Sequence, residues 1–145
     1  ILVNAAVKNG QDVLNTKIKL REKFRPFAAS VLENKASEYF DTIGNDYPNM
    51  NFVFQAKENT KLKFPSIVHV DGTSRIQTVN STNNFKFYNL IKKFESLTGN
   101  PLLLNTSLNI DEPICESPDD VIKSFAITNI DCLILQNYVL EKVNS

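Results

Sequence analysis

The 145-residue chain lacks most of the motifs by which common enzyme classes are recognised. It has four glycines, with neither a Gly-x-x-x-x-Gly-Lys-Ser/Thr loop nor a Gly-x-Gly-x-x-Gly turn after a strand, so a nucleotide would have to be held by side chains. Cys115 and Cys132 stand far apart without a Cys-x-x-Cys pair, and His69 is the single histidine. That pattern suggests neither a zinc site nor a disulfide framework, and both thiols are expected as buried small hydrophobes in a reducing cytoplasm. No Gly-x-Ser-x-Gly elbow is present, and Asp111 and Glu112 have no evident carboxylate partner for acid–base work. No apolar run approaches the ~18 residues of a membrane span and no signal-peptide pattern is visible, so a cytoplasmic location without a membrane partner is expected. Sixteen basic and sixteen acidic side chains cancel, which leaves no global field to attract DNA; an anion site has to be local. The length suits one compact domain over 1–145, and a start at Ile1 rather than methionine suggests a fragment of a longer protein.

What is present is a basic, aromatic-punctuated segment, Lys17-Ile18-Lys19-Leu20-Arg21-Glu22-Lys23-Phe24-Arg25-Pro26-Phe27-Ala28. Lys19, Arg21 and Arg25 alternate with apolar residues, and Pro26 biases Arg25 toward an extended conformation that helps aim its guanidinium. Such a segment suits phosphates, with Phe24 and Phe27 as apolar pocket walls. An edge strand carrying charge against aggregation is the alternative.

The remaining periodicity predicts a mixed sheet domain. Asp12–Lys19 reads as a short helix or irregular lead-in, and Arg25–Leu32 as a strand. Asn51–Gln55 and Ser66–Val70 alternate at period two, and Asp71-Gly72-Thr73-Ser74 would turn the second of these into Arg75–Val79 as a hairpin. Between Asn83 and Gly99, Phe87, Ile91, Phe94 and Thr98 recur at helical spacing with Leu90 and Leu97 widening the stripe, and Gly99 supplies the stop. Leu102-Leu103-Leu104 reads as a strand buried on both faces. Ser117-Pro118-Asp119-Asp120 announces a helix whose buried stripe would be Val121, Ile122, Phe125 and Ala126, and Cys132–Lys142 closes the chain as one or two strands. Strands and helices without strict alternation indicate an α/β (α+β) sheet domain.

Two further segments could carry chemistry. Asn105-Thr106-Ser107-Leu108-Asn109 leaves the buried strand where α/β sheets place ligands, although short polar residues also form plain turns. His69-Val70-Asp71-Gly72-Thr73-Ser74-Arg75 would put His69 and Asp71 on one face with Arg75 close by; a structural histidine beside an ordinary turn is the alternative.

Taken together, Asn15–Ala28, His69–Val79 and Asn105–Asn109 followed by Glu112-Pro113-Ile114 resemble the C-terminal, YrdC-like domain of the NodU/CmcH/TobZ carbamoyltransferase family. The domain is similar to the YrdC type in carrying Lys-x-Arg-x-x-x-Lys/Arg and a later Thr-Ser-x-Asn, here Lys19, Arg21, Arg25, Thr106, Ser107 and Asn109. The resemblance implies a YrdC-like twisted mixed sheet with flanking helices, and an activity in antibiotic or Nod-factor biosynthesis. Carbamoyl phosphate and ATP, with Mg2+ carried by the nucleotide, would give carbamoyl-adenylate. An N-terminal actin-like domain holding its own metal would then pass the carbamoyl group to a hydroxyl acceptor. It further implies phosphate binding by Lys19, Arg21, Arg25 and Arg75, nucleotide binding by Asn105, Thr106, Ser107 and Asn109, and catalytic roles for His69 and Arg75. Ala29 replaces the family's usual proline, and Ile110-Asp111-Glu112-Pro113 is shorter than usual and lacks its glycine. A threonylcarbamoyl-adenylate synthase of the YrdC type, using threonine and bicarbonate, is the enzymatic alternative. A non-catalytic nucleotide-binding or docking module is the other.

Overall fold

The computed structural model describes residues 1–44, 46–110 and 112–142. In chain order the elements are β1 (Leu2–Val3), α1 (Gly10–Val13), a π-helical turn (Leu14–Ile18), β2 (Ala28–Leu32), α2 (Ala36–Tyr39), β3 (Phe52–Gln55), α3 (Glu58–Lys63), β4 (Thr73–Val79), α4 (Phe85–Thr98), β5 (Leu102–Asn105), α5 (Pro118–Ile127), β6 (Cys132–Leu135) and β7 (Tyr138–Glu141). Contacts group them into two units, residues 1–11 with 26–106 and residues 12–25 with 107–145.

The first unit is an α/β arrangement built on a mixed five-stranded sheet in the order β1-β5-β2-β4-β3, open rather than closed into a barrel. β2 and β4 run parallel with Ala28 opposite Arg75 and Ser30 opposite Gln77, while β5 lies antiparallel on the other side with Asn105 opposite Ala28. All five residues of β2 and all three leucines of β5 are buried, which accounts for their unbroken apolar character. On one face Leu32, Val79 and Leu103 pack with Ile91 of α4, flanked by Phe87, Tyr88 and Phe94. Each such aliphatic side chain removed from water contributes about 1.5–3 kcal/mol. Asn84 caps α4 by accepting from Phe87 N, and Gly99, at φ 71°, ends it with a hydrogen bond to Glu95 O of 2.7 Å. Leu90 and Leu97 do not join the stripe: both are exposed, Leu97 at 73%, because one turn of sheet contact is satisfied by Ile91 and its aromatic neighbours.

Two strand readings need correction. Arg25–Phe27 are not strand; β2 begins at Ala28. Ser66–Val70 is not a strand either. Pro65–Ile67 form a 3-10 turn, the Ser66 hydroxyl donates to Val7 O, and β4 pairs with β2 and β3 instead of folding back on residues 66–70. The turn chemistry of Asp71-Gly72 is real without the hairpin. Thr73 N donates to Asp71 Oδ1 at 2.9 Å and Gly72 N to His69 O at 2.9 Å, with Gly72 at φ 81° where only glycine is unstrained.

In the second unit α5 begins with a full capping box, Ser117 Oγ accepting from Asp120 N and Asp120 Oδ2 accepting from Ser117 N, with Pro118 at the first helical position. Phe125 and Ser124 are its buried residues; Ile122 and Ala126 are exposed, contrary to the expected stripe. β6 and β7 form an antiparallel hairpin in which Leu133 faces Leu140. Leu133 is the inward residue of β6, so its neighbour Cys132 points out and is exposed, and Cys115 is half-buried beside Ser124 Oγ at 3.2 Å. The expectation of two buried thiols is therefore wrong, and both are free. No helix among the described residues is long and apolar enough to cross a membrane.

Candidate functional site

The basic segment lies in the second unit and is organised around Lys19. A π-helical turn precedes it, closed by Lys19 N donating to Leu14 O at 2.7 Å, and Leu20 then takes a left-handed φ of 49° that L side chains rarely adopt. Lys19 is only 2% exposed. Its Nζ donates to Ser107 O (2.8 Å), Ser107 Oγ (3.3 Å), Asn109 O (2.7 Å) and Asn109 Oδ1 (2.8 Å), four oxygens sharing three ammonium protons. The loop is tied further by Ser107 Oγ donating to Asn109 Oδ1 (2.5 Å) and Asn109 Nδ2 donating to Glu112 O (2.7 Å). Lys19 thus joins the basic motif to the Ser107-Leu108-Asn109 motif. Asp111, in the shortened segment 110–113, lies outside the described residues.

Asn15, fully buried, shapes the cationic loop from beneath. Its Nδ2 donates to Lys23 O (3.0 Å) and Arg25 O (2.9 Å), and its Oδ1 accepts from Arg21 Nε (2.8 Å). The three cations stand close enough to perturb one another. Burial, and then the positive charges of Arg21 and Arg25, bring the Lys19 ammonium down to about 8; burial followed by Arg25 lowers Arg21 as well. The Arg25–Glu22 pair at 4.0 Å is more than half exposed on both sides and contributes little. Phe24, expected as a pocket wall, is 74% exposed, whereas Phe27 is buried.

The other predicted site residues belong to the first unit. His69 Nε2 lies 3.1 Å from Phe27 O, which only accepts, and so carries the proton there, and Nδ1 lies 3.1 Å from Thr73 Oγ1. Thr73 Oγ1 in turn donates to Asp71 Oδ1 at 2.7 Å, and this bond with the Thr73 N–H holds the Asp71 carboxyl below its usual range. Histidine here fastens the turn to the start of β2. Arg75 is exposed on β4, paired through its backbone with β2 and β3, and its side chain makes no hydrogen bond or ion pair among the described residues. Thr106 pairs its N–H with Ile1 O at 3.0 Å, extending the β1–β5 ladder, and the Asn105 side chain hydrogen-bonds Ser30 and Gln77 on neighbouring strands. A cavity of about 240 Å3 in this unit is lined by Pro48, Asn49, Gln77, Thr78, Asn84 and Phe87, and by none of the predicted site residues.

Lys19, Arg21, Arg25, Ser107 and Asn109 are therefore gathered in one unit, and His69, Arg75, Asn105 and Thr106 are parts of the other. Sequence reasoning passed over Asn15, Ser30 and Gln77 as site residues. The signal for Ser30 is a polar side chain inside the otherwise apolar β2; Gln77, in the largely polar β4, and Asn15 give none beyond their places in the motifs. Among the described residues no group of three or more His, Cys, Asp or Glu side chains could hold a metal ion.

One unit thus holds a mixed five-stranded sheet, and the other a lysine-organised Ser-x-Asn loop with Arg21 and Arg25. The family model for the carbamoyltransferase C-terminus matches residues 1–142, and the chain belongs to that family. It is 39% identical over 145 residues to the nodulation protein NolNO of Sinorhizobium fredii, covering 98% of this chain and 21% of the relative. It is likewise 39% identical to the nodulation protein NolO of Bradyrhizobium diazoefficiens (98% of this chain, 26% of the relative), and 40% identical over 110 residues to nodulation protein U of Rhizobium tropici (76% and 19%). The chain thus spans about a fifth to a quarter of the length of these relatives.

Proposed function

We propose that this domain binds ATP and carbamoyl phosphate and forms carbamoyl-adenylate, which an N-terminal actin-like domain then uses to carbamoylate a hydroxyl acceptor. The observation that carries this reading is the grouping of Lys19, Arg21 and Arg25 in one unit, where Asn15 bonds Arg21 Nε and Arg25 O and the Ser107–Asn109 loop holds the Lys19 ammonium. Such an arrangement is stabilised when a polyanion arrives. Two unit charges at ~4 Å interact by about 4 kcal/mol at an effective dielectric of ~20, so convergent cations are what allows two phosphorylated substrates to approach each other.

In this scheme water splits carbamoyl phosphate into carbamate and inorganic phosphate. A carbamate oxygen forms a bond to the α-phosphorus of ATP, and the bond from that phosphorus to the oxygen bridging to the β-phosphate breaks to release pyrophosphate. Arg21 and Arg25 offer guanidinium forks to phosphate oxygens, where bidentate contact is strongest. Lys19 sets the Ser107–Asn109 loop for the nucleotide. Arg75 takes the phosphate of carbamoyl phosphate, and His69 orients that substrate by holding Phe27 and the 69–73 turn. Mg2+ would travel with the triphosphate and neutralise part of its charge.

Pyrophosphate release from ATP tests the reading. Release that requires carbamoyl phosphate supports it. Release that requires threonine plus bicarbonate would instead identify a threonylcarbamoyl-adenylate synthase, and nucleotide binding without release under either condition would leave a binding module.

A further inference from the structure

The Ser107–Asn109 loop turns four oxygens toward one point, and their polarity is fixed by bonds that do not involve Lys19. Asn109 Nδ2 donates to Glu112 O at 2.7 Å. A carbonyl only accepts, so the Asn109 amide has one orientation and Oδ1 is left facing the lysine. Ser107 Oγ uses its single proton on Asn109 Oδ1 at 2.5 Å, which leaves only lone pairs for the same point. The main-chain oxygens of Ser107 and Asn109 complete the set. Cys115 N donates to Leu108 O at 3.1 Å and ties the middle of the loop to the segment that follows it. The four acceptors are therefore assembled by the loop's own contacts, and they persist when the lysine side chain is removed.

The Lys19 ammonium occupies that point, 2.8 Å from Ser107 O, 3.3 Å from Ser107 Oγ, 2.7 Å from Asn109 O and 2.8 Å from Asn109 Oδ1. These distances are too long for Mg2+ at ~2.0–2.1 Å or Ca2+ at ~2.3–2.6 Å, and none of the four oxygens is the carboxylate that both ions favour. Neutral oxygens at this spacing suit a larger, singly charged ion, as main-chain carbonyls do where they replace the hydration shell of potassium. An ammonium has three protons for four oxygens, whereas a spherical ion can use all of them. We propose that the Ser107–Asn109 loop is a monovalent-cation cage, in which the Lys19 ammonium is a tethered occupant that potassium or free ammonium can replace. The tether has a physical purpose. Arg21 and Arg25 repel any cation placed here, so a free ion is held weakly, whereas one carried on the chain benefits from a high effective concentration. The loop is thereby closed whatever the salt of the medium. The inference concerns the loop itself and does not depend on which anion the domain takes.

Thermal unfolding of the protein and its Lys19→Ala variant in monovalent nitrate salts at constant ionic strength, with tetramethylammonium as an ion too large for the cage, tests the assignment. In tetramethylammonium the variant should melt below the wild type, and potassium or ammonium should return most of that loss with a saturable dependence on concentration. Lithium should not, and the wild type should respond to none of them. Adding Asn109→Leu to Lys19→Ala takes one oxygen from the cage and should abolish the potassium response. Lys19→Arg separates the cage from charge alone: a planar fork cannot set one compact charge among four oxygens, so this variant should melt below Lys19→Ala in potassium. Thallium NMR supplies a second readout, a bound resonance in Lys19→Ala that potassium displaces and that the wild type lacks. Where Lys19→Ala does not fold in tetramethylammonium, recovery of its circular dichroism in potassium is the measurement. A variant that stays unfolded in every salt, one on which all the cations act alike, or a potassium effect of equal size in the wild type overturns the inference.

Discussion

The Lys19 ammonium lies 2.8 Å from Asn109 Oδ1 and 2.7 Å from the Asn109 main-chain oxygen, ninety residues along the chain. This contact makes the basic segment and the polar loop parts of one device. Under the proposed function the lysine would act on phosphate through the loop it holds as well as through its charge.

Replacing Lys19 with methionine leaves four oxygens of Ser107 and Asn109 without their donor. We expect a stability loss of about 1–2 kcal/mol, the lower part of the range for losing a charged donor because these acceptors are only part-buried, read from the urea midpoint at unchanged slope. ATP affinity should fall at the same time.

The pH dependence has a definite sign. Lys19 loses its proton at about 8 when folded and near its ordinary 10.5 when unfolded. Between those values the unfolded chain binds more protons, so this group makes stability rise with pH. Anion affinity goes the opposite way, because an anion favours the charged lysine. Affinity for sulfate, whose own charge is constant in this range, should fall as pH rises through about 8, and titrations from pH 6.5 to 9.5 would measure it.

Arg25→Ala removes both a proposed phosphate ligand and a neighbour that depresses Lys19. Phosphate or ATP affinity should weaken by about 2 kcal/mol or more, as loss of a charged bidentate contact does. The sulfate inflection should also move to higher pH. An unchanged affinity would remove Arg25 from the site.

Asn15→Ala cuts the bonds to Lys23 O, Arg25 O and Arg21 Nε. A cost of about 1–2 kcal/mol is expected for the loss of these part-buried hydrogen bonds. Proteolysis between Leu20 and Arg25 should accelerate more than cleavage elsewhere.

Much of this was legible in the sequence where local rules decide the outcome. The three leucines of β5, the Gly99 end of α4 and the Ser117 cap of α5 follow from patterning and end chemistry within a few residues. What was not legible depends on contacts far apart in the chain. Ser66–Val70 has the alternation of a strand, yet Pro65 starts a 3-10 turn and the Ser66 hydroxyl is drawn to Val7 O. Cys132 has a buried residue type, but Leu133 takes the inward position of β6 and pleating turns its neighbours out. Lys19, Arg21 and Arg25 were legible as a cationic motif; that Lys19 is engaged by the loop at 107–109, and that Asn15 supports the arginines, are tertiary facts. His69 could be singled out as the single imidazole, though not fastened to Phe27 O and Thr73 Oγ1.

Phosphorus NMR of the protein with ATP and carbamoyl phosphate tests the central claim most directly, because it shows which phosphorus is attacked. The account predicts pyrophosphate together with a new adenylate resonance, both absent when carbamoyl phosphate is omitted. Formation of ADP and inorganic phosphate from ATP, or bound substrates that never react, would contradict it.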